Sequence, residues 1–232
     1  MKVFNKEIPV YLIKVFSKEE YRTEFINGHL YLNEAGYFNK LEDGFRGDRY
    51  DSKIVQIKPT IFIDGIKFTP NSMIQGFVGD DKVPILCATI LNEQCLFIDS
   101  ENAIRIKLDV INELKNFGDY GLLFYYGELK NNLDEYAKLN DISVDQDIVK
   151  YCDIRSEQSH KLYRGNIYNK YFIKDNSYKY QNELRFIFLS NNKVKFTPLV
   201  PPNKTHIKID IKPLQKFVKF GLNDSFLSNL YI

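Results

Sequence analysis

Between Tyr178 and Leu189 the chain reads Y-K-Y-Q-N-E-L-R-F-I-F-L, a stretch that joins ionisable groups to strand periodicity. Successive side chains of an extended chain alternate, so Leu184, Phe186 and Phe188 are expected on one face and Gln181, Glu183 and Arg185 on the other. One carboxylate held beside a hydrogen-bonding amide is suited to stabilising a developing oxocarbenium ion and gripping a ribose hydroxyl. Glu183 is therefore the candidate catalytic carboxylate, with Gln181 beside it, and Arg185 would orient Glu183 or bind phosphate. The plainer expectation is a solvated strand face, on which Glu183 and Arg185 form an exposed pair worth about 0–1 kcal/mol.

A second charge-dense stretch runs from Tyr37 to Ser52, Y-F-N-K-L-E-D-G-F-R-G-D-R-Y-D-S. Arg46 and Arg49 are interleaved with Glu42, Asp43, Asp48 and Asp51, while Gly44 and Gly47 let the backbone turn tightly or approach a ligand closely. A binding loop and a solvated loop with locally paired charges both fit this composition. The loop and the Gln181–Arg185 row are expected to face one cleft.

These groups must be carried by elements that can be read in order. Ile8 to Phe16 is expected as a strand, with Ser17 and Glu20 forming a capping box for a short helix that Gly28 closes, and His29 to Asn33 as the returning strand. Strands are expected over 53–57 and 60–69, the latter folded at Asp64-Gly65, then a loop over 70–81 and strands over 83–91, 94–98 and 104–108. Asp109 is expected to cap a helix to Phe117, ahead of an aromatic strand from Tyr120 and an amphipathic helix from Glu128 to Leu139. A strand is expected over 147–154, a polar loop over 155–169, and a hairpin joining 183–189 to 194–197. A strand over 207–211 and a helix over 213–220 close the reading. Strands outnumber helices, so the expected fold is one α+β domain with a mainly antiparallel, curved or split sheet and flanking helices.

The chain has 232 residues, enough for one sizeable core, with 44% hydrophobic and 15% aromatic content. Its 32 basic and 30 acidic residues are dispersed and leave a net charge of +2, which does not favour nucleic acid as a partner. A local patch from Lys161, Arg164, Lys170, Lys174 and Lys179, interleaved with tyrosines, is the one basis for such binding. No apolar run reaches the length of a membrane span and the N-terminus lacks an apolar signal core, so a soluble, cytoplasmic protein is expected. Cys87, Cys95 and Cys152 have no C-x-x-C spacing, and His29, His160 and His206 are scattered, so no metal motif is expected.

Three motifs together carry a resemblance: Y-F-N-x-x-E-D from Tyr37, R-G-D from Arg46, and Y-Q-N-E-x-R from Tyr180. In this order, with the F-G-D at Phe117, they resemble a family of uncharacterised proteins of bacteria and their phages. More weakly, the chain is similar to the ADP-ribosyltransferase superfamily, whose late strand bears a catalytic Glu, sometimes preceded two residues earlier by Gln or Glu, as in Gln181-Asn182-Glu183. That resemblance implies a split sheet, NAD as cofactor, Tyr11 or Lys14 on the early strand and Tyr31 or Asn33 on the next. It further implies that Glu183 stabilises the ribosyl cation, Gln181 orients the acceptor, Arg46 or Arg49 meets the pyrophosphate, and Tyr37 and Phe38 stack on a ring.

Two functions follow as expectations. One is an NAD-dependent ADP-ribosyltransferase-like protein of phage–host conflict, acting in the host cytoplasm if phage-encoded. The other is a non-catalytic phage or defence-related factor that binds a protein target or a nucleotide signal through an aromatic and charged surface.

Overall fold

The structure is a computed structural model that describes residues 11–222, except 42–44, 46–47, 77–78, 94, 99, 101–103, 164–165 and 192–198. Arg46 and the 194–197 segment therefore lie outside the described residues. The chain opens as β1 (Tyr11–Phe16), α1 (Glu19–Ile26) and β2 (His29–Glu34). The expected capping box is absent: Lys18 takes the N-cap position without a side-chain bond. Arg22 anchors α1 instead, donating to the carbonyls of Gly121 and Phe220 at 2.9 and 2.8 Å and pairing with Glu19. Gly28 does close the helix, at φ 87°, where a Cβ would sit 2.2 Å from the Ile211 carbonyl oxygen.

A short helical turn, α2 (Ala35–Phe38), occupies what the sequence suggests is the start of a loop. An arm then projects as β3 (Ile54–Ile57), β4 (Ile61–Ile63), β5 (Ile66–Phe68) and β6 (Ser72–Gln75). Asp64 and Gly65 turn the β4–β5 hairpin with φ of 50° and 80°, as the Asp-Gly dipeptide suggests. The expected loop over 70–81 is partly strand, because β6 pairs with β3 and sets Ile74 against Val55.

The chain continues through β7 (Pro84–Ile90), β8 (Leu96–Ile98), β9 (Ile104–Ile106), α3 (Leu108–Lys115), β10 (Tyr120–Tyr125) and α4 (Tyr126–Leu139). Lys107, not Asp109, caps α3. Next come β11 (Ile142–Ile148), β12 (Lys150–Cys152), α5 (Glu157–Tyr163), a 3-10 segment over Ile167–Phe172, β13 (Ile173–Asp175) and a second 3-10 segment over Asn176–Gln181. The stretch read as a polar loop thus holds α5, whose first turn is fixed by Ser156 Oγ accepting from Ser159 N at 3.3 Å. The remaining strands are β14 (Glu183–Ser190), β15 (His206–Asp210) and β16 (Phe217–Gly221).

An eight-stranded sheet organises the molecule, in the order β11-β14-β7-β1-β10-β16 with β2 and β15 branching from β7, every pairing antiparallel. The α+β class and antiparallel sheet agree with the sequence reading. β14 is flanked by β11 along residues 184–190 and by β7 along residues 183–187. One expectation is corrected by pairing. The expected helix over 213–220 is in part β16, drawn into extended form by the edge of β10.

The sheet splits at β7. Its residues Thr89 and Ile90 pair with β1, and Ile85 and Pro84 pair with β2, so between them the edge of β7 at Leu86–Ala88 has no strand partner among the described residues. On one face, Leu12, Phe16, Leu86, Leu122, Phe124, Leu184, Phe186 and Phe188 pack with Phe25 and Ile26 of α1 and Leu129 and Leu133 of α4. On the other, Ile85, Ile187 and Leu189 pack under Ala35, Tyr171 and Phe172. β14 is therefore buried on both faces. Burial of a Phe or Leu side chain contributes roughly 1.5–3 kcal/mol, which makes β14 a rigid carrier for whatever stands at its first residue.

Candidate functional site

The site is built where the second 3-10 segment turns into β14. Asn182 makes the turn in a left-handed conformation at φ 41°, and its amide donates to the Ile90 carbonyl at 2.6 Å. Gln181 is consequently the last residue of the 3-10 segment rather than part of the strand, while Glu183 is the first residue of β14. Alternation along β14 is as expected, with Leu184, Phe186 and Phe188 on one face. The opposite face is not solvated. Gln181, Glu183 and Arg185 are all buried, Arg185 completely, so the exposed-pair expectation is corrected. A second layer covers them, supplied by Tyr171 and Lys174 from the preceding segment and by Asp51, which is distant in sequence.

Lys174 Nζ donates to Gln181 Oε1 at 2.6 Å and to Glu183 Oε2 at 2.8 Å. Arg185 Nε donates to Glu183 Oε1 at 2.5 Å, and its two terminal nitrogens grip Asp51 Oδ1 and Oδ2 at 2.6 Å each. The Tyr171 carbonyl accepts from Arg185 Nη1 at 2.8 Å, and Arg185 Nη2 also reaches Glu183 Oε2 at 3.5 Å. Bidentate guanidinium–carboxylate geometry of this kind is both strong and directional. Arg185 thus stands behind Glu183 and orients it, with every guanidinium nitrogen engaged, and has no donor left for a phosphate.

Burial works to raise the Glu183 pKa, but the charges of Arg185 and Lys174 overturn it and hold the carboxyl well below the usual carboxylate range. Burial pulls the Arg185 pKa down, and Asp51 and Glu183 together carry it above its ordinary value. Both groups are charged throughout the physiological range. Beside them, burial and then Asp51 push the Asp48 pKa up, and among the described residues Asp48 Oδ2 has no hydrogen-bond partner. The Cys87 thiol is driven up by burial and by Glu183, which makes it an inert neighbour.

Gln181, Glu183 and Lys174 line a cleft of about 1230 Å³ that opens at the split of the sheet. Lys14 of β1 enters it. Its ammonium donates to the Cys87 carbonyl at 2.8 Å, on the stretch of β7 without a strand partner. Burial lowers the Lys14 pKa, with Cys87 and Glu183 acting against that.

The expected candidates divide accordingly. Tyr37 and Phe38 line the cleft, with rings edge to face at 5.5 Å, and so do Tyr31 and Asn33; Tyr11 does not, since it packs beside the Ile13 and Leu123 cluster. The 37–52 stretch and the Gln181–Arg185 row do meet. Phe45 O accepts from Gln181 Nε2 at 2.6 Å, and Asp51 pairs with Arg185. Arg49 is exposed over the Tyr50 ring and is not among the cleft's lining residues. The expected basic patch is not one surface: Lys170 and Lys174 are buried, paired with Asp80 and Glu183. Sequence reasoning missed Asp51 and Lys174 as partners of the row. The available signal was Lys174 directly after Tyr171-Phe172-Ile173, a charge at the end of an apolar run.

Among the described residues no cluster of three or more His, Cys, Asp or Glu side chains could hold a metal ion, and no helix is long and apolar enough to cross a membrane. No family model matches the chain, and no curated protein or solved structure matches it.

Proposed function

We propose that the cleft at the sheet split is a nucleotide site and that the protein is ADP-ribosyltransferase-like, with NAD as the ligand and Glu183 as the electrostatic group. The observation that carries this reading is an ionised, rigidly held Glu183 at an open cleft, with Gln181 two residues before it and the Lys14 ammonium nearby. A carboxylate fixed before the reaction begins stabilises a ribosyl cation without reorganising as nicotinamide departs. Lys14 supplies the positive charge for the pyrophosphate that the sequence reading assigns to Arg46 or Arg49. Tyr37 and Phe38 offer apolar wall. The acceptor is a protein target in phage–host conflict, in keeping with the resemblance.

A second reading has its own observation. Both Glu183 oxygens already accept hydrogen bonds from Arg185 and Lys174, which neutralises the carboxylate and favours ligand binding without turnover. That would make the protein a non-catalytic factor that recognises a nucleotide signal. Incubation with NAD labelled in the adenylate moiety and a bacterial lysate separates the two. Label transferred to protein, or free nicotinamide released, in wild type and lost in Glu183→Gln supports transfer. Saturable NAD binding with neither product supports the signal-binding reading, and no binding at all overturns both.

A further inference from the structure

The exposed wall of the cleft carries a feature that neither the ionic floor nor Tyr37 and Phe38 explain. β2 and β15 pair in the register Asn33 to His206, Tyr31 to Lys208 and His29 to Asp210, which puts Tyr31 and His206 on one face of the two strands. Their rings stack at 4.1 Å between centroids and 22° between planes. His206 contributes no surface to the cleft, whereas Tyr31 lines it and remains 50% exposed. A large aromatic side chain that exposed is ordinarily free to rotate, and the histidine stack instead fixes its orientation. Tyr21 of α1, 48% exposed, lines the same wall. Tyr37 lines the cleft as well, so Tyr21, Tyr31 and Tyr37 bring three phenols to its surface. Lys14 and Lys174 line the same cleft, and Lys174 Nζ lies 2.8 Å from Glu183 Oε2.

We propose that the exposed ring of Tyr31, braced by His206, is the subsite that receives the aromatic base of a nucleotide. This rests on the cleft's being a nucleotide site, not on its catalysing a reaction. A tyrosine face binds any flat heterocycle through stacking, with little preference among bases. The cleft therefore distinguishes its ligand by the combination of a ring and an anion rather than by base-edge hydrogen bonds. The chemical class is a nucleoside phosphate, with the base at Tyr31 and the phosphate toward Lys14.

The test titrates adenosine, ADP and ribose 5-phosphate into wild type, Tyr31→Ala, Tyr31→Phe and His206→Ala by calorimetry. Tyr31→Ala is expected to weaken adenosine and ADP about tenfold or more, the scale of one lost base–aromatic stack, and to leave ribose 5-phosphate unchanged. Tyr31→Phe keeps the ring and is expected to bind like wild type, and His206→Ala to fall between. Unchanged adenosine and ADP affinity in Tyr31→Ala would overturn the proposal. Equal loss of ribose 5-phosphate would overturn it too, since Tyr31 would then only shape the cleft. If wild type binds none of the three probes, the nucleotide reading fails and this inference with it. Binding that follows the expected pattern without any transfer from NAD leaves the subsite standing and removes only the reaction.

Discussion

The Lys14 ammonium lies 2.8 Å from the Cys87 carbonyl oxygen, on the stretch of β7 that neither β1 nor β2 covers. A side chain thus takes the hydrogen bond that a neighbouring strand would otherwise supply. The sheet stays open at that point without an unsatisfied carbonyl, and a buried amine whose pKa burial lowers stands in the opening.

Replacing Lys14 by Met tests that role. The methylene stem keeps most of its packing against Phe16 and Phe25, whose ring centroids lie 5.8 and 5.9 Å from the ammonium. Loss of one hydrogen bond from a half-wet site should cost about 1 kcal/mol of stability. ADP affinity should fall by about tenfold or more, as expected for a lost charge-assisted bond, while adenosine affinity holds. Equal weakening of both ligands would show that Lys14 shapes the cleft rather than meeting phosphate.

Glu183→Gln has two expected effects, and they can be measured on one sample. On the proposed transferase reading, turnover of NAD should drop by about 100-fold or more, the usual cost of losing a preorganised electrostatic group. Stability should also fall, by roughly 3–5 kcal/mol, because the buried network loses one of its two carboxylate charges and Asp51 alone is left to answer Arg185 and Lys174. An exposed Glu183–Arg185 pair, the plainer sequence expectation, would cost at most about 1 kcal/mol. A melting temperature near that of wild type would contradict the buried network.

How much of this was legible can be argued from single residues. Leu184, Phe186 and Phe188 point to one core because a strand's alternation is local. Gly28 and Asp64-Gly65 mark their turns because positive φ is also a local demand. The burial of Glu183 and Arg185 was not legible, because their cover comes from Asp51 and Lys174, 132 and 9 positions from Glu183 in the numbering. Proximity in sequence gave no hint that these four charges neutralise one another. Pro213 and Gly221 read as the ends of a helix, yet Phe217–Gly221 is β16, since the free edge of β10 outweighs local end signals. The split of the sheet depends on how far β1 and β2 extend along β7, a matter of tertiary register.

Acid sensitivity follows from the Glu183 network. The folded-state pKa of Glu183 is held below its unfolded value, so the pairing stabilises the fold above roughly pH 4.3, the ordinary glutamate value. That contribution is lost as pH falls through the depressed folded value. Wild type should therefore lose stability on acidification more steeply than Glu183→Gln, and the gap between the two melting temperatures should narrow toward low pH. A constant gap across the acid range would mean that Glu183 contributes shape and not charge.

Asp48 carries the opposite sign. Burial and Asp51 raise its folded pKa above the unfolded value, so the native state binds the proton more tightly than the unfolded chain does. Its contribution is therefore most favourable at low pH and is lost as pH rises through the folded value. Asp48 Oδ1 accepts from Tyr50 N at 2.8 Å, a bond an amide oxygen can keep, and among the described residues Oδ2 has no hydrogen-bond partner within bonding distance, although the Asp175 backbone amide acts on the carboxyl. Asp48→Asn removes the buried charge and preserves that bond, so it should raise the melting temperature at neutral pH and change it little near pH 3. Thermal melts of both proteins from pH 3 to pH 8 check the sign directly: the curves should separate as pH increases. Destabilisation by Asp48→Asn at neutral pH would instead assign Asp48 a stabilising charge, one that Lys174 answers across the network.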